Sequence, residues 1–250
     1  MLIEIVSHCQ SIERPYYDSL LMYQLSSLVL YYPAKREVDV RITIVCCPEE
    51  DRATRAVLNY FVRHHGWLDL QVVTLSPGRV GRRAIGRNIA SKNTRADIVW
   101  FTDVDYVFHQ GCLESLGGLD WPDGTVMVYP ENTMIHRDWD IGTARVEQIH
   151  RYPQTIDIKP EEFVHKKLNK AIGGVQIVRG DFARSEGYLP DDKTFQTPTP
   201  DGTFVSCRCD MRYRKNCREK GLITKVDLLG VYRLRHPKRV YESPKQRRGL

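Results

Sequence analysis

The 250-residue chain is 42% apolar and 10% aromatic, an ordinary globular composition from which one α/β unit with a sizeable core can be built. Its formal charge of +6, from 37 basic against 31 acidic residues, is too small to demand a nucleic-acid partner and suits an anionic small ligand such as a nucleotide diphosphate. The longest apolar run, Leu20–Leu30, is broken by Tyr23, Gln24, Ser26 and Ser27 and is too short to span a bilayer.

In chain order, Leu2–Ser7 reads as an apolar strand, and Tyr16–Tyr32 as a helix from the spacing of Leu20, Tyr23, Leu28 and Tyr31. Val38–Cys47 alternates like a strand, and Asp51 is placed to cap a helix carrying Ala56, Tyr60 and Val62. Leu70–Leu75 is a further strand, Arg82–Asn93 a helix and Ile98–Thr102 a buried strand. The second half is less regular: helix at Gln110–Leu116, strand at Thr125–Tyr129, loop over an active site from Pro130 to Lys170, strand at Ala171–Arg179. Leu189–Gly202 reads as a mobile loop, Asp210–Lys220 as a helix ended by Gly221, and Val226–Arg235 as the last strand. Strands separated by helices of this length predict a doubly wound, mainly parallel sheet, with ligands gathered beyond the carboxyl ends of its strands.

Met1–Ser7 lacks the basic region and long apolar stretch of a secretory signal, and the seven cysteines are odd in number. Reduced thiols in a cytoplasmic chain are therefore expected. Cys207, Cys209 and Cys217 cluster loosely, without the paired C-x-x-C spacing of a zinc knuckle. Pro237–Leu250 is basic, with Lys238, Arg239, Lys245, Arg247 and Arg248, and reads as a solvated tail.

The most informative segment is IVWFTDVDYVF behind Asp97. An apolar strand runs into Thr102, and carboxylates follow at Asp103 and Asp105. Residues two apart on an extended chain face the same way, so both carboxylates would reach one cation. Two anions together at the end of a buried strand are costly unless neutralised. Carboxylate oxygens select magnesium or manganese, which also bind phosphate oxygens.

With its flanks, Gly81–Leu116 resembles the GT-A-fold glycosyltransferases of the family 2 type: a glycine, a helix carrying Arg87-Asn88, the lead-in Ala96-Asp97, an apolar strand, and Asp103–Asp105. Ile172–Tyr188 (IGGVQIVRGDFARSEGY) looks like the same family's acceptor-side block. The resemblance implies one GT-A unit over residues 1–240, with a nucleotide-sugar-binding half at 1–106, an acceptor-side half at 107–240 and a tail at 241–250. It further implies a UDP- or GDP-sugar donor, a carbohydrate or other hydroxyl acceptor, and Mn2+ or Mg2+ held by Asp103, Asp105 and His236. Ser7 and His8 would lie near the base or ribose, with Glu49 among the acidic residues after the second strand. Arg79, Arg83 and Arg87 would face the diphosphate or support the loop that holds it. Arg233 and Arg235 offer an alternative contact to phosphate.

The sequence departs from the family at Cys207-Arg208-Cys209-Asp210-Met211, where an acidic pair is usual and only Asp210 stands. Asp210 is the expected base, with Asp191, Asp192, Asp201 or a retaining reaction as alternatives. Trp121, Tyr129, Trp139 and Tyr152 are candidates either to stack on an acceptor sugar or to pack the core. Two other readings are a sugar-nucleotide nucleotidyltransferase, which the glycine-free turn SHCQSIERP disfavours, and a nucleic-acid binder built on the arginine-rich Arg79–Arg95 segment.

Overall fold

The computed structural model describes residues 1–138 except 13, 15, 35 and 36, together with 152–197 and 208–236. Trp139, Asp201, Cys207 and the basic tail from 237 onward lie outside the described residues.

The amino-terminal half alternates as its periodicities predict, with β1 (Leu2–His8), α1 (Tyr17–Leu30), β2 (Asp39–Cys46), α2 (Arg52–His64), β3 (Asp69–Thr74), α3 (Pro77–Val80), α4 (Arg83–Asn93) and β4 (Ile98–Phe101); the short helix α3 is an addition that they do not predict. β5 (Tyr106–Phe108), α5 (Cys112–Gly117), β6 (Thr125–Pro130), β7 (Asn132–His136) and β8 (Phe163–Lys167) follow. The chain then forms β9 (Gln176–Arg179), α6 (Gly180–Glu186), α7 (Lys193–Gln196), α8 (Cys209–Lys220), β10 (Leu222–Val226) and β11 (Val231–Arg233).

Seven strands form one sheet in the order β10-β6-β9-β4-β1-β2-β3, parallel except for β9. β1 and β4 lie at its centre, and Ile3, Ile5, Val6, Val99, Trp100 and Phe101 are fully buried, as a parallel strand covered on both faces requires. A second sheet, β5-β11-β7-β8, stands beside it. No helix among the described residues is long and apolar enough to cross a membrane.

Asp51 caps α2 by accepting from the Thr54 amide at 3.1 Å, and also accepts from the Ser11 amide at 2.6 Å. The buried stripe of α2 is Thr54, Val57, Leu58 and Phe61. Ala56 and Val62 point outward, so the expected face is rotated.

The carboxyl-terminal half departs further. Pro130–Lys170, expected as loop, contains β7 and β8 paired antiparallel from Asn132↔Lys167 to His136↔Phe163. The strand expected over Ala171–Arg179 begins only at Gln176, because Gly173-Gly174 makes a turn closed from the Val175 amide to Ile172 O at 3.0 Å. Of the strand expected over Val226–Arg235, only Val231–Arg233 forms its own strand, β11 in the small sheet, while Val226 ends β10 of the large one. The loop expected at Leu189–Gly202 contains α7, whose Asp192 cap accepts from the Thr194 amide.

Candidate active site

The parallel strands β1, β2, β3 and β4 end at one edge, as the pairing of Val6 with Phe101 and of His8 with Val45 fixes. There the chain does not stay extended. The Tyr106 amide donates to Asp103 O at 3.1 Å, closing a turn that carries the chain from β4 into β5 of the other sheet. The carboxylates therefore meet different neighbours, Asp103 toward α4 and Asp105 toward the end of β11. Fully buried Gln24 of α1 clamps both ends of the turn, with Nε2 donating to Asp103 O at 3.1 Å and Tyr106 O at 3.0 Å. Its signal in the sequence is a polar residue inside an otherwise apolar helix face.

Arg83 and Arg87, one turn apart on α4, both reach Asp103 Oδ1, Arg87 at 3.2 Å. Burial pushes the Asp103 carboxyl up, but Arg83 and Arg87 outweigh it and hold it well below the usual carboxylate range. The two arginines are not equivalent. Arg83 keeps 32% of its side chain exposed; Arg87 keeps none. Arg87 also donates to Thr102 O at 2.9 Å, Gly173 O at 2.8 Å and the Tyr188 hydroxyl at 3.0 Å. Its neighbour Asn88 accepts from the Tyr188 amide at 3.0 Å. The Arg-Asn pair thus fastens α4 to the second sequence block, and Arg87 has no exposed surface left for a ligand. Gly187 sits at φ 67°, and a Cβ there would lie 2.6 Å from Asn88 Oδ1, so only glycine fits that junction. Ala96-Asp97 is likewise architectural: Asp97 Oδ2 accepts from the Leu2 amide and Asp97 O from the Gly180 amide, each at 2.7 Å.

On the other side, Asp105 is 5% exposed. Its Oδ2 accepts from Arg233 Nε at 2.8 Å and lies 3.7 Å from His236 Nε2. Its Oδ1 is buried and has no partner among the described residues. A carboxylate with one stranded oxygen, its other oxygen near an imidazole nitrogen, fits a hard divalent cation that completes its shell with phosphate oxygens. No group of three candidate ligands occurs among the described residues, and Asp103 is paired with Arg83 and Arg87.

Asp210 lies in the first turn of α8. A Cβ built on Gly173 would stand 3.4 Å from Asp210 Oδ2 and 3.5 Å from Arg83 Nη1, so the third carboxylate lies close to the arginine that holds Asp103. The α8 start is fixed by Gln176 Nε2 donating to Asp210 O at 2.9 Å. Asp192 is committed to its cap and to Arg212 at 3.4 Å, and Asp191 is exposed.

Glu49 is exposed in the turn after β2, and Arg79 is exposed on α3. Ser7 is fully buried beneath the edge, and its hydroxyl finds no partner among the described residues. Trp121 packs under the Arg179 guanidinium at 5.1 Å. Arg179 pairs with Ile98 at the start of β4, which puts that aromatic at the edge opposite the site. Tyr129 is buried and Tyr152 is 80% exposed.

His8 is buried against Gly86, where a Cβ would come within 2.5 Å of its Nε2. Burial, then the charges of Arg87 and Arg83, hold its ring neutral well below 6.5, while Asp103 opposes them weakly. The unfolded chain therefore binds this proton first as pH falls. The contribution is complete above pH about 6.5 and is lost at about 1.4 kcal/mol per pH unit below it, until the folded ring titrates. Urea unfolding between pH 7.5 and 5 should show this slope in the wild type and lose it in His8→Asn. Equal slopes in both would assign the effect elsewhere.

The sheet order defines a GT-A fold: mixed α/β, with a mainly parallel central sheet flanked by helices. Staphylococcus aureus TarS 1-349 superposes at a TM-score of 0.57, with 15% identity over 94% of this chain and 60% of that one. The mannosyltransferase PcManGT from Pyrobaculum calidifontis, in complex with GDP-Man and Mn2+, gives 0.56, with 16% identity over 96% of this chain and 58% of that one. The galactosyltransferase LgtC, with donor and acceptor sugar analogues, gives 0.50, with 13% identity over 95% and 88%. The chain spans about 60% of the length of the first two. At these identities the likeness establishes the fold. No protein-family model and no curated protein matches the sequence.

Proposed function

We propose that the chain is a glycosyltransferase that moves a sugar from a nucleoside diphosphate, UDP or GDP, to a hydroxyl acceptor, with residues 1–106 serving the donor and 107–240 the acceptor. The observation that carries this reading is the clamped Asp103-Val104-Asp105 turn at the carboxyl edge of β4, with one Asp105 oxygen stranded. Neighbours of the same fold are solved with UDP-GlcNAc and with GDP-Man and Mn2+. The free, buried thiols Cys9, Cys46, Cys47, Cys112, Cys209 and Cys217 suit a reducing, cytoplasmic setting.

Each side chain then has a task. Asp105 and His236 would hold manganese or magnesium, which when bound supplies Lewis-acid charge against the departing diphosphate. Arg83, partly exposed beside Asp103, adds fixed positive charge for the same phosphates. Arg87 and Gln24 keep the turn in place without touching the donor. Asp210 accepts the proton of the acceptor hydroxyl, which makes the reaction inverting.

Asp210→Asn is expected to lower transfer by about 10²-fold or more while leaving donor affinity within about twofold. Unchanged transfer would move the base elsewhere or make the reaction retaining. The donor itself is found by a thermal-shift panel of UDP, GDP and their sugars with and without Mn2+. Specific binding at a hundred times Kd stabilises by about 2.7 kcal/mol, so one base should stand out. A flat panel with Mn2+ present would overturn the assignment.

A further inference from the structure

Arg233 ends β11, which pairs antiparallel with β5 so that Arg233 stands opposite Tyr106, the residue after Asp105. The Leu234 amide donates to Asp105 O at 2.8 Å, which roots the arginine beside the acid. Its guanidinium lies 5.5 Å from the Tyr106 ring centre and donates through Nε alone to Asp105 Oδ2. The attraction of Asp105 holds Arg233 firmly protonated against its partial burial.

Two features make this pairing incomplete. A guanidinium normally grips both oxygens of a carboxylate, yet here Oδ1 is buried and unserved among the described residues. The partners also differ in freedom: the Arg233 side chain is 38% exposed and Asp105 only 5%. The arginine can turn to another anion at small cost, whereas the aspartate stays where it is.

We propose that Arg233 is a displaceable counter-ion that occupies Asp105 Oδ2 in the donor-free protein, excludes the divalent cation from it, and is drawn away by the donor's diphosphate. Cation and nucleotide then bind as a linked pair, each tightening the other by the same factor. The inference rests on the proposed donor site and adds to it a residue that sets the order of loading.

The test is a Mn2+ titration followed by electron paramagnetic resonance of the free ion, with no acceptor and no turnover. Wild type, Arg233→Met and Arg233→Lys are each measured alone, with UDP and with GDP, and their folding is checked by thermal melts. A charged hydrogen bond of this kind is worth about tenfold in affinity or more. In the wild type, one nucleotide should tighten Mn2+ binding by about that factor. Arg233→Met should bind Mn2+ alone about tenfold more tightly than wild type, bind the nucleotide more weakly and lose most of the coupling. Arg233→Lys, which keeps the charge but not the fixed N–H, should fall between them, and it decides the matter if the methionine variant does not fold. Unchanged or weaker Mn2+ binding in the folded variants, beside a wild type that binds both ligands, overturns this inference alone. A wild type that binds neither Mn2+ nor either nucleotide overturns the donor-site reading and this inference together.

Discussion

Asp105→Ala should reduce sugar transfer by about 10³-fold or more, roughly 4 kcal/mol of transition-state stabilisation, while leaving a folded protein. Asp105 is the acid with a stranded oxygen, and its removal deletes the centre of charge around which Arg233 and His236 are arranged. The stability cost should stay at about 1–2 kcal/mol, because Arg233 is exposed enough to take water in place of its partner. Asp105→Asn keeps the shape and removes the charge, so it should match the alanine variant in activity and lie closer to wild type in urea unfolding. Steady-state rates beside unfolding midpoints separate the two effects. Near-wild-type turnover in Asp105→Ala would remove this residue from the chemistry.

The largest stability loss is expected at Arg87, which has no exposed surface and holds Asp103, Thr102 O, Gly173 O and the Tyr188 hydroxyl at once. Arg87→Met would bury several acceptors without a donor and leave Asp103 with Arg83 alone, at a cost of about 3–5 kcal/mol. In a chain of this length that corresponds to a fall in Tm of about 10 °C. Arg83→Met is the informative contrast. Its ion pair is partly exposed, so stability should fall by about 1 kcal/mol or less, while affinity for a nucleoside diphosphate drops about tenfold or more. If the two variants lose stability equally, the division between a scaffolding and a ligand-facing arginine is wrong. The i, i+4 spacing cannot make that distinction, because it puts both side chains on one face without saying how deep each lies.

The amino-terminal half was legible because most of its elements are long and its core strands nearly continuously apolar, so element type and order agreed from Leu2 to Phe101, although the face of α2 and the short α3 did not show. Gly221 ends α8 as its position predicts. The second sheet was not legible: β5 and β11 have three residues each, and β8, read as FVHKK, buries only its first side chain. Such strands owe their existence to partners far along the chain, Tyr106 to Arg233 and Asn132 to Lys167, which local periodicity does not contain. At the site, the residue types and the shared helical face of Arg83 and Arg87 were visible, but their convergence on Asp103 was not. The reversal after Thr102 was not, because Gln24, dozens of residues upstream, imposes the turn that separates Asp103 from Asp105. The two motif blocks proved to be halves of one junction, joined where Asn88 and Arg87 hold Tyr188.

Incubating the protein with Mn2+ and sugar nucleotides 13C-labelled at the anomeric carbon, with water or a glycan as acceptor, follows the breaking bond itself. Wild type should convert one donor class to a new anomeric signal with stoichiometric release of the nucleoside diphosphate, and Asp105→Ala should not. Intact label with every donor, or pyrophosphate formed from a nucleoside triphosphate and a sugar phosphate, would contradict sugar transfer at this edge.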